Sequence, residues 1–444
     1  MQSYSQNKQV LYNFAELPQT LLLNPGAENN YKFHIGVPLV SGFSLEIGST
    51  GVVVSDIFAK DNVPINDKIN TIFNKLSIRD HLKINFQMEV LNGGFRYNDK
   101  NYFSFGFYEE IDVFSYFPKD PIKLLKEGNS AYLNRSFDFS QILYKADVFG
   151  VLHFGVTRIV SKKLTLGGRF KIYSSALNLE SSNNSGTFTT VDGTNNIYAH
   201  HLDNLDVNLK TSGIVNDDQE IIDDPATYLG NTFFGSNLGV GFDVGMTYHF
   251  SDQLEFTGSI VDFGFMKHKN NVKNASATGS YVFEGIGFDY DASNLTNYWE
   301  ELSSDFKEKV PYGENADSYI SWRPTKINAS LRYSFGEKRS KICYDNRPKD
   351  FYTDAFGVQL YSVFRPLSPM LALTGFYEKL ISQKMHAKVT YTIDDYSFYN
   401  LGAGISTQIG KVNFYGMVDN IAQFGDISSA NNISVQLGMN VIFN

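Results

Sequence analysis

Thirteen residues, Leu238 to Phe250, restrict the folds open to this chain more than any other stretch. Leu238, Val240, Phe242, Val244, Met246, Tyr248 and Phe250 alternate with Gly239, Gly241, Asp243, Gly245, Thr247 and His249. Successive side chains of a strand point to opposite sides, so this is a strand with one apolar and one polar face. Ser251-Asp252-Gln253 supplies turn chemistry. Leu254, Phe256 and Ile260 then alternate with Glu255, Thr257 and Ser259, which makes an antiparallel hairpin. Strands this long exceed the five or six residues usual in soluble sheets and match what a tilted strand needs to cross a bilayer.

The unit recurs: Phe33, Ile35 and Val37; Ile84, Phe86, Met88 and Val90; Phe103, Phe105, Phe107, Ile111 and Val113; Leu164, Leu166, Phe170 and Ile172; Ile327, Ala329, Leu331, Tyr333 and Phe335; and, at the end, Ile433 to Phe443. Counting matches to this template gives roughly fifteen strands. Single-chain bacterial barrels have even numbers, so the expectation is an all-β, transmembrane antiparallel β-barrel of 14 to 16 strands. Leu205 to Leu209 and Val282 to Tyr290 are the two candidate extra strands, and the odd count leaves the long loops unassigned to either side. Short helices are expected in loops over Ile65 to Leu76, Pro121 to Lys126 and Leu295 to Phe306. Residues 1–30 lack a clean period and end at Asn24-Pro25-Gly26, which suggests a segment at the lumen or its mouth; residues 31–444 form a single barrel.

Composition supports this reading. Aromatics make up 15% of the chain, and membrane barrels spend aromatics on girdles at both interfaces. The net charge of -9, without a basic cluster, excludes nucleic acid as a partner. A sheet can satisfy every backbone group in lipid only as a closed barrel, so the partner implied is outer-membrane lipid. The apolar face would meet it, and the polar face would bring Arg169, Lys171, Asp243, Glu255, Lys326 and Arg332 into the lumen, where paired opposite charges fill a narrow interior with salt bridges. The residues after Met1 carry no basic or apolar leader, so a signal peptide is expected to have been removed from a chain bound for the bacterial outer membrane.

Catalytic and cofactor motifs are lacking: there is no Gly-x-Ser-x-Gly, no His-Glu-x-x-His and no phosphate loop. Gly239-Val240-Gly241 lies within a strand, His200-His201 has no third ligand nearby, and Cys343 is a single thiol. His153 and His249, with Ser259, are the weak case for a hydrolase. The expectation is no enzyme, no metal and no cofactor.

The stretch from Leu17 to Gly26, followed by Tyr31-Lys32-Phe33-His34-Ile35-Gly36-Val37-Pro38, and the stretch from Trp322 to Tyr333 with Tyr298-Trp299 before it, resemble outer-membrane barrels of bacteria that carry type IX secretion and gliding machinery. The Asn-Pro near the start is likewise similar to PorP/SprF-like barrels and to long-chain fatty-acid transport barrels. The resemblance covers most of the chain and implies fold and location more than activity. The leading expectation is a structural or partner-binding component of a cell-envelope or secretion assembly. A transport barrel for a small or hydrophobic solute and a soluble all-β binding protein are the alternatives.

Overall fold

The computed structural model describes residues 8–443 apart from 15, 16, 195, 216–220, 223, 236, 285–297, 338–351, 368 and 395; Cys343 and Leu295 therefore lie outside the described residues. In chain order, β1 (Phe33–Gly36) and β2 (Phe43–Ser49) form one broken stave, followed by β3 (His81–Asn98), β4 (Asn101–Tyr116), β5 (Ser136–Asp138), β6 (Tyr144–Ile159) and β7 (Leu164–Ser181). Next come β8 (Ser185–Asp192), β9 (Tyr198–Ser212), β10 (Asn237–His249), β11 (Leu254–His268), β12 (Asn274–Phe283), β13 (Tyr312–Asn315), β14 (Tyr319–Trp322) and β15 (Lys326–Glu337). The last are β16 (Tyr352–Val363), β17 (Met370–Ser382), β18 (Met385–Ile393), β19 (Asn400–Ile409), β20 (Val412–Asp419) and β21 (Asn432–Phe443).

Five of these twenty-one strands (β5, β8, β9, β12 and β13) stand outside the wall as a second sheet. β14 and β15 share a stave against β11, as β1 and β2 do against β21 and β3. Fourteen staves result, all antiparallel, and the pairing of β21 with β1 and β2 closes the barrel. The two candidate extra strands need correction. Residues 205–209 belong to β9 and residue 282 to β12, both in the outer sheet, while residues 285–290 lie outside the described residues. Alternation reports one covered face without saying what covers it, and here Leu205 and Tyr281 pack on Val310, not on a barrel interior.

An even count puts both ends of the wall on one side. Phe33 pairs with Phe443, and the turns at 98–101, 160–163, 250–253, 383–384 and 410–411 share that side. The opposite side carries α2 (Val54–Phe58), α3 (Ile65–Lys75), α4 (Lys119–Glu127), α5 (Pro225–Thr232), α6 (Tyr298–Lys309) and the outer sheet; α1 (Thr20–Leu23) lies inside. Membrane barrels keep short turns on the periplasmic side and long loops outside, which orients the wall.

Alternation in β10 resolves as the sequence requires. Leu238, Val240, Phe242 and Val244 are exposed outward, while Gly239, Gly241 and Asp243 are buried inward. On the short-turn side, Phe33 with Phe443, Tyr248 with Phe250, and Phe95 and Tyr97 with Phe103 pair their rings at 5.0 to 6.0 Å, the position of an aromatic girdle. Glu109, among the outward residues of β4, is covered: Thr232 Oγ1 at the end of α5 donates to it at 2.7 Å, and Phe233 stacks on Phe107 with centroids 4.6 Å apart.

Val244→Lys or Leu331→Lys places a charge on this outward face near mid-strand, at a cost of about 2–4 kcal/mol. A fall of that size is expected when unfolding by urea is followed in lipid vesicles.

Candidate functional site

Residues 8–14 and 17–30 run inside the barrel and are gripped largely through their backbone. Thr157 Oγ1 donates to the Pro25 carbonyl (2.7 Å), Thr247 Oγ1 to that of Gly26 (2.8 Å), Ser259 Oγ to that of Leu23 (2.6 Å) and Lys388 Nζ to that of Tyr12 (2.8 Å). Arg169 donates to the carbonyls of Leu21 and Leu22. Apolar side chains of the segment complete the fit: Val10, Leu11, Phe14 and Leu17 pack on Tyr415 and Met417, and Leu21 on Tyr31 and Tyr102. The segment lacks strand periodicity because its side chains are enclosed on every side.

Asn24, Pro25 and Gly26 sit in a notch cut by two wall glycines. A Cβ on Gly167 would overlap the Pro25 carbonyl, one on Gly245 would overlap Asn24 Oδ1, and one on Gly26 would meet the Gly245 carbonyl group at 2.5 Å. Asn24 Oδ1 accepts from the Gly26 amide at 2.9 Å, which holds the turn in shape.

Next to this segment lies a network of buried ions. Asp243 takes Arg169 at 3.1 Å and Lys171 at 2.8 Å, and Asp262 takes Lys171 at 2.5 Å and Lys326 at 2.7 Å. Glu255 accepts from Asn13 Nδ2 at 2.7 Å, and Arg332 meets Glu378 at 3.2 Å. Sequence reasoning missed Asp262, Arg323 with Glu110 (3.0 Å), Lys83 with Glu46 (2.6 Å) and Arg365 with Asp112 (3.4 Å). Glu110 and Asp112 stood on the polar face of their strand and were findable there. Asp262 was not: a one-residue bulge, two residues from Phe242 to Val244 against three from Ile260 to Phe263, turns Val261 and Asp262 inward together.

The hydrolase case does not assemble. Ser259 is bound to Leu23, and His249 Nε2 lies 3.1 Å from Glu28. Among the described residues no group of three metal-ligating side chains converges.

The wall bulges where the N-terminal segment touches it, and the bulge stays bonded to both neighbours: the Val37 amide donates to the Met439 carbonyl at 3.1 Å, that of Met439 to Val40 at 2.9 Å, and that of Glu89 to Gly42 at 2.8 Å. From Gly36 to Phe43 the first stave advances seven residues while its partner β21 advances three, from Asn440 to Leu437, so four residues loop out. Leu39, at φ +65°, and Val40 face outward, whereas Ser41 is fully buried. Gln19 Nε2 and Tyr415 Oη donate to the Ser41 carbonyl at 2.9 and 3.0 Å, and Gln19 also reaches Glu89 and Asn440. Gly438 leaves the room for that carbonyl.

A closed, outward-apolar wall with its own N-terminal segment held inside it defines the class: a transmembrane β-barrel. The chain belongs to the family of unknown function DUF5723, whose model matches residues 25–419. No curated protein matches it. Among solved structures it is similar to the Ralstonia pickettii toluene transporter TbuX, with 10% identity, a TM-score of 0.44 and coverage of 100% of this chain and 99% of that one. It is similar to a Pseudomonas aeruginosa FadL homologue, with 9% identity, a TM-score of 0.44 and coverage of 97% and 95%. The translocator domain of the Neisseria meningitidis autotransporter NalP superposes more loosely, with 8% identity, a TM-score of 0.32 and coverage of 94% and 90%. None of these matches speaks for type IX secretion or gliding, and at such scores none assigns a solute.

Proposed function

We propose that this protein is an outer-membrane transport barrel for a small, hydrophobic solute, with the N-terminal segment as its stopper. The observation that carries this reading is the four-residue bulge in the wall at residues 37–42, beside Gln19. A solute entering from the long-loop side meets the plug, and the surplus residues of the bulge give the wall the slack to part there and open a sideways path into hydrocarbon. Such a path suits an apolar molecule, because a charged one would bear the cost of leaving water.

Removing residues 38–41 joins Val37 to Gly42 and restores the three-residue step that β21 makes. The barrel is expected to fold, migrating anomalously on unboiled SDS gels, while uptake of a radiolabelled neutral aromatic into proteoliposomes falls to the protein-free background. Undiminished uptake would rule out the sideways path; absence of uptake by the intact chain would favour the envelope-component reading.

A further inference from the structure

The outer sheet forms a second site away from the lumen. Phe188, Leu202, Tyr281, Phe283 and Phe306, with Asn129, His200 and Ser303, line an open hollow of about 480 Å³ between β8, β9, β12 and α6. This falls in the size range of small-molecule sites, which are mostly apolar with few polar groups. At its centre His200 lies sandwiched between two rings, 5.9 Å from Phe188 at 14° and 6.0 Å from Phe283 at 16°. Tyr281 and Phe306 meet edge to face at 5.2 Å across the sheet and helix.

Two neighbours set the form of the imidazole: with the Asn129 amide nitrogen 3.0 Å and Thr190 Oγ1 3.1 Å from His200 Nδ1, that nitrogen is assigned as the acceptor and the proton to Nε2. Burial, helped by the neighbouring His201, holds the pKa below the ordinary histidine value, which keeps the ring uncharged. The nearby cation is already paired: Lys309 Nζ is 2.9 Å from Asp305. Among the described residues the lining thus offers aromatic faces and edges, the His200 N–H and the Ser303 hydroxyl, and carries no charged side chain.

We infer that this hollow binds an uncharged aromatic molecule carrying a single hydrogen-bond acceptor, which stacks among Phe188, Phe283 and Phe306 and accepts from His200 Nε2. As the place where solute is gathered from water, it deepens the transport reading and rests on it; as a binding site it can be measured without transport.

The test uses the full chain in lipid nanodiscs, 4′-fluoroacetophenone as probe and ¹⁹F NMR to read binding above a protein-free nanodisc blank. The intact chain is expected to bind and 4-fluorobenzoate to bind at least ~10-fold more weakly, with His200→Ala and Phe283→Ala each lowering affinity for the ketone by ~10-fold or more. Ser303→Trp, at an exposed helix position, fills the hollow instead of emptying it and is expected to abolish binding in a normally folded barrel. Equal binding by all three variants, or by the benzoate, overturns the inference. Binding that these variants remove, in a chain that takes nothing up into proteoliposomes, upholds this site while the transport reading fails. Uptake without binding in the hollow does the reverse.

Discussion

Gly167→Val is expected to expel the Asn24-Pro25-Gly26 turn from its notch. The new side chain would overlap the Pro25 carbonyl, a backbone atom that no rotamer change can move aside. Displacing the turn breaks the bonds from Thr157 and Thr247 to it, each worth about 1 kcal/mol net, and frees the segment that follows. The barrel should still close, because valine suits a strand and the position keeps its ladder bonds with Thr157 and Gly245. Gly245→Val should act alike, through Asn24. Gly375→Val is the control, since a Cβ there meets nothing within 4 Å. A thiol probe at Ala27→Cys, a buried position beside the turn, reads the outcome: shielded in the parent and the control, reactive in the two valine variants.

The second large effect belongs to the ion network. Asp243→Asn leaves Arg169 with no carboxylate and Lys171 with Asp262 alone. Removing one partner of a buried ion pair costs about 3–5 kcal/mol, because the remaining charge stays buried uncompensated. The urea midpoint should fall accordingly. Adding Lys171→Met removes one of the two cations that faced Asp243 and leaves Asp262 to Lys326, which should restore part of the loss, so the two changes are expected to be less than additive. Equal and additive losses would mean that water, not Asp243, solvates these cations.

The wall was legible in the sequence because a strand in lipid must be apolar at every second residue, and Leu238 to Val244 shows that rule without exception. The inward charges were legible for the same reason. What period two cannot carry is what faces the covered side. Residues 205–209 alternate like a wall strand yet belong to the outer sheet, and His200, noticed as half of a histidine pair, is the middle ring between Phe188 and Phe283. The plug showed itself only as a lack of period. Its notch depends on Gly167 and Gly245, inward residues of β7 and β10 that meet residue 25 or 24 through the closure of the whole barrel, a relation no local pattern encodes. The bulge at 37–42 was equally hidden, since the four surplus residues become visible only against the length of β21.

Planar-bilayer recordings of the intact chain and of Gly167→Val, side by side at one protein density, test the stoppered barrel most directly. An intact chain that inserts without conductance steps, beside a variant that gives stable open steps, is the predicted pair of traces. Steady large steps from the intact chain would show that residues 8–30 do not seal the lumen and would contradict the account.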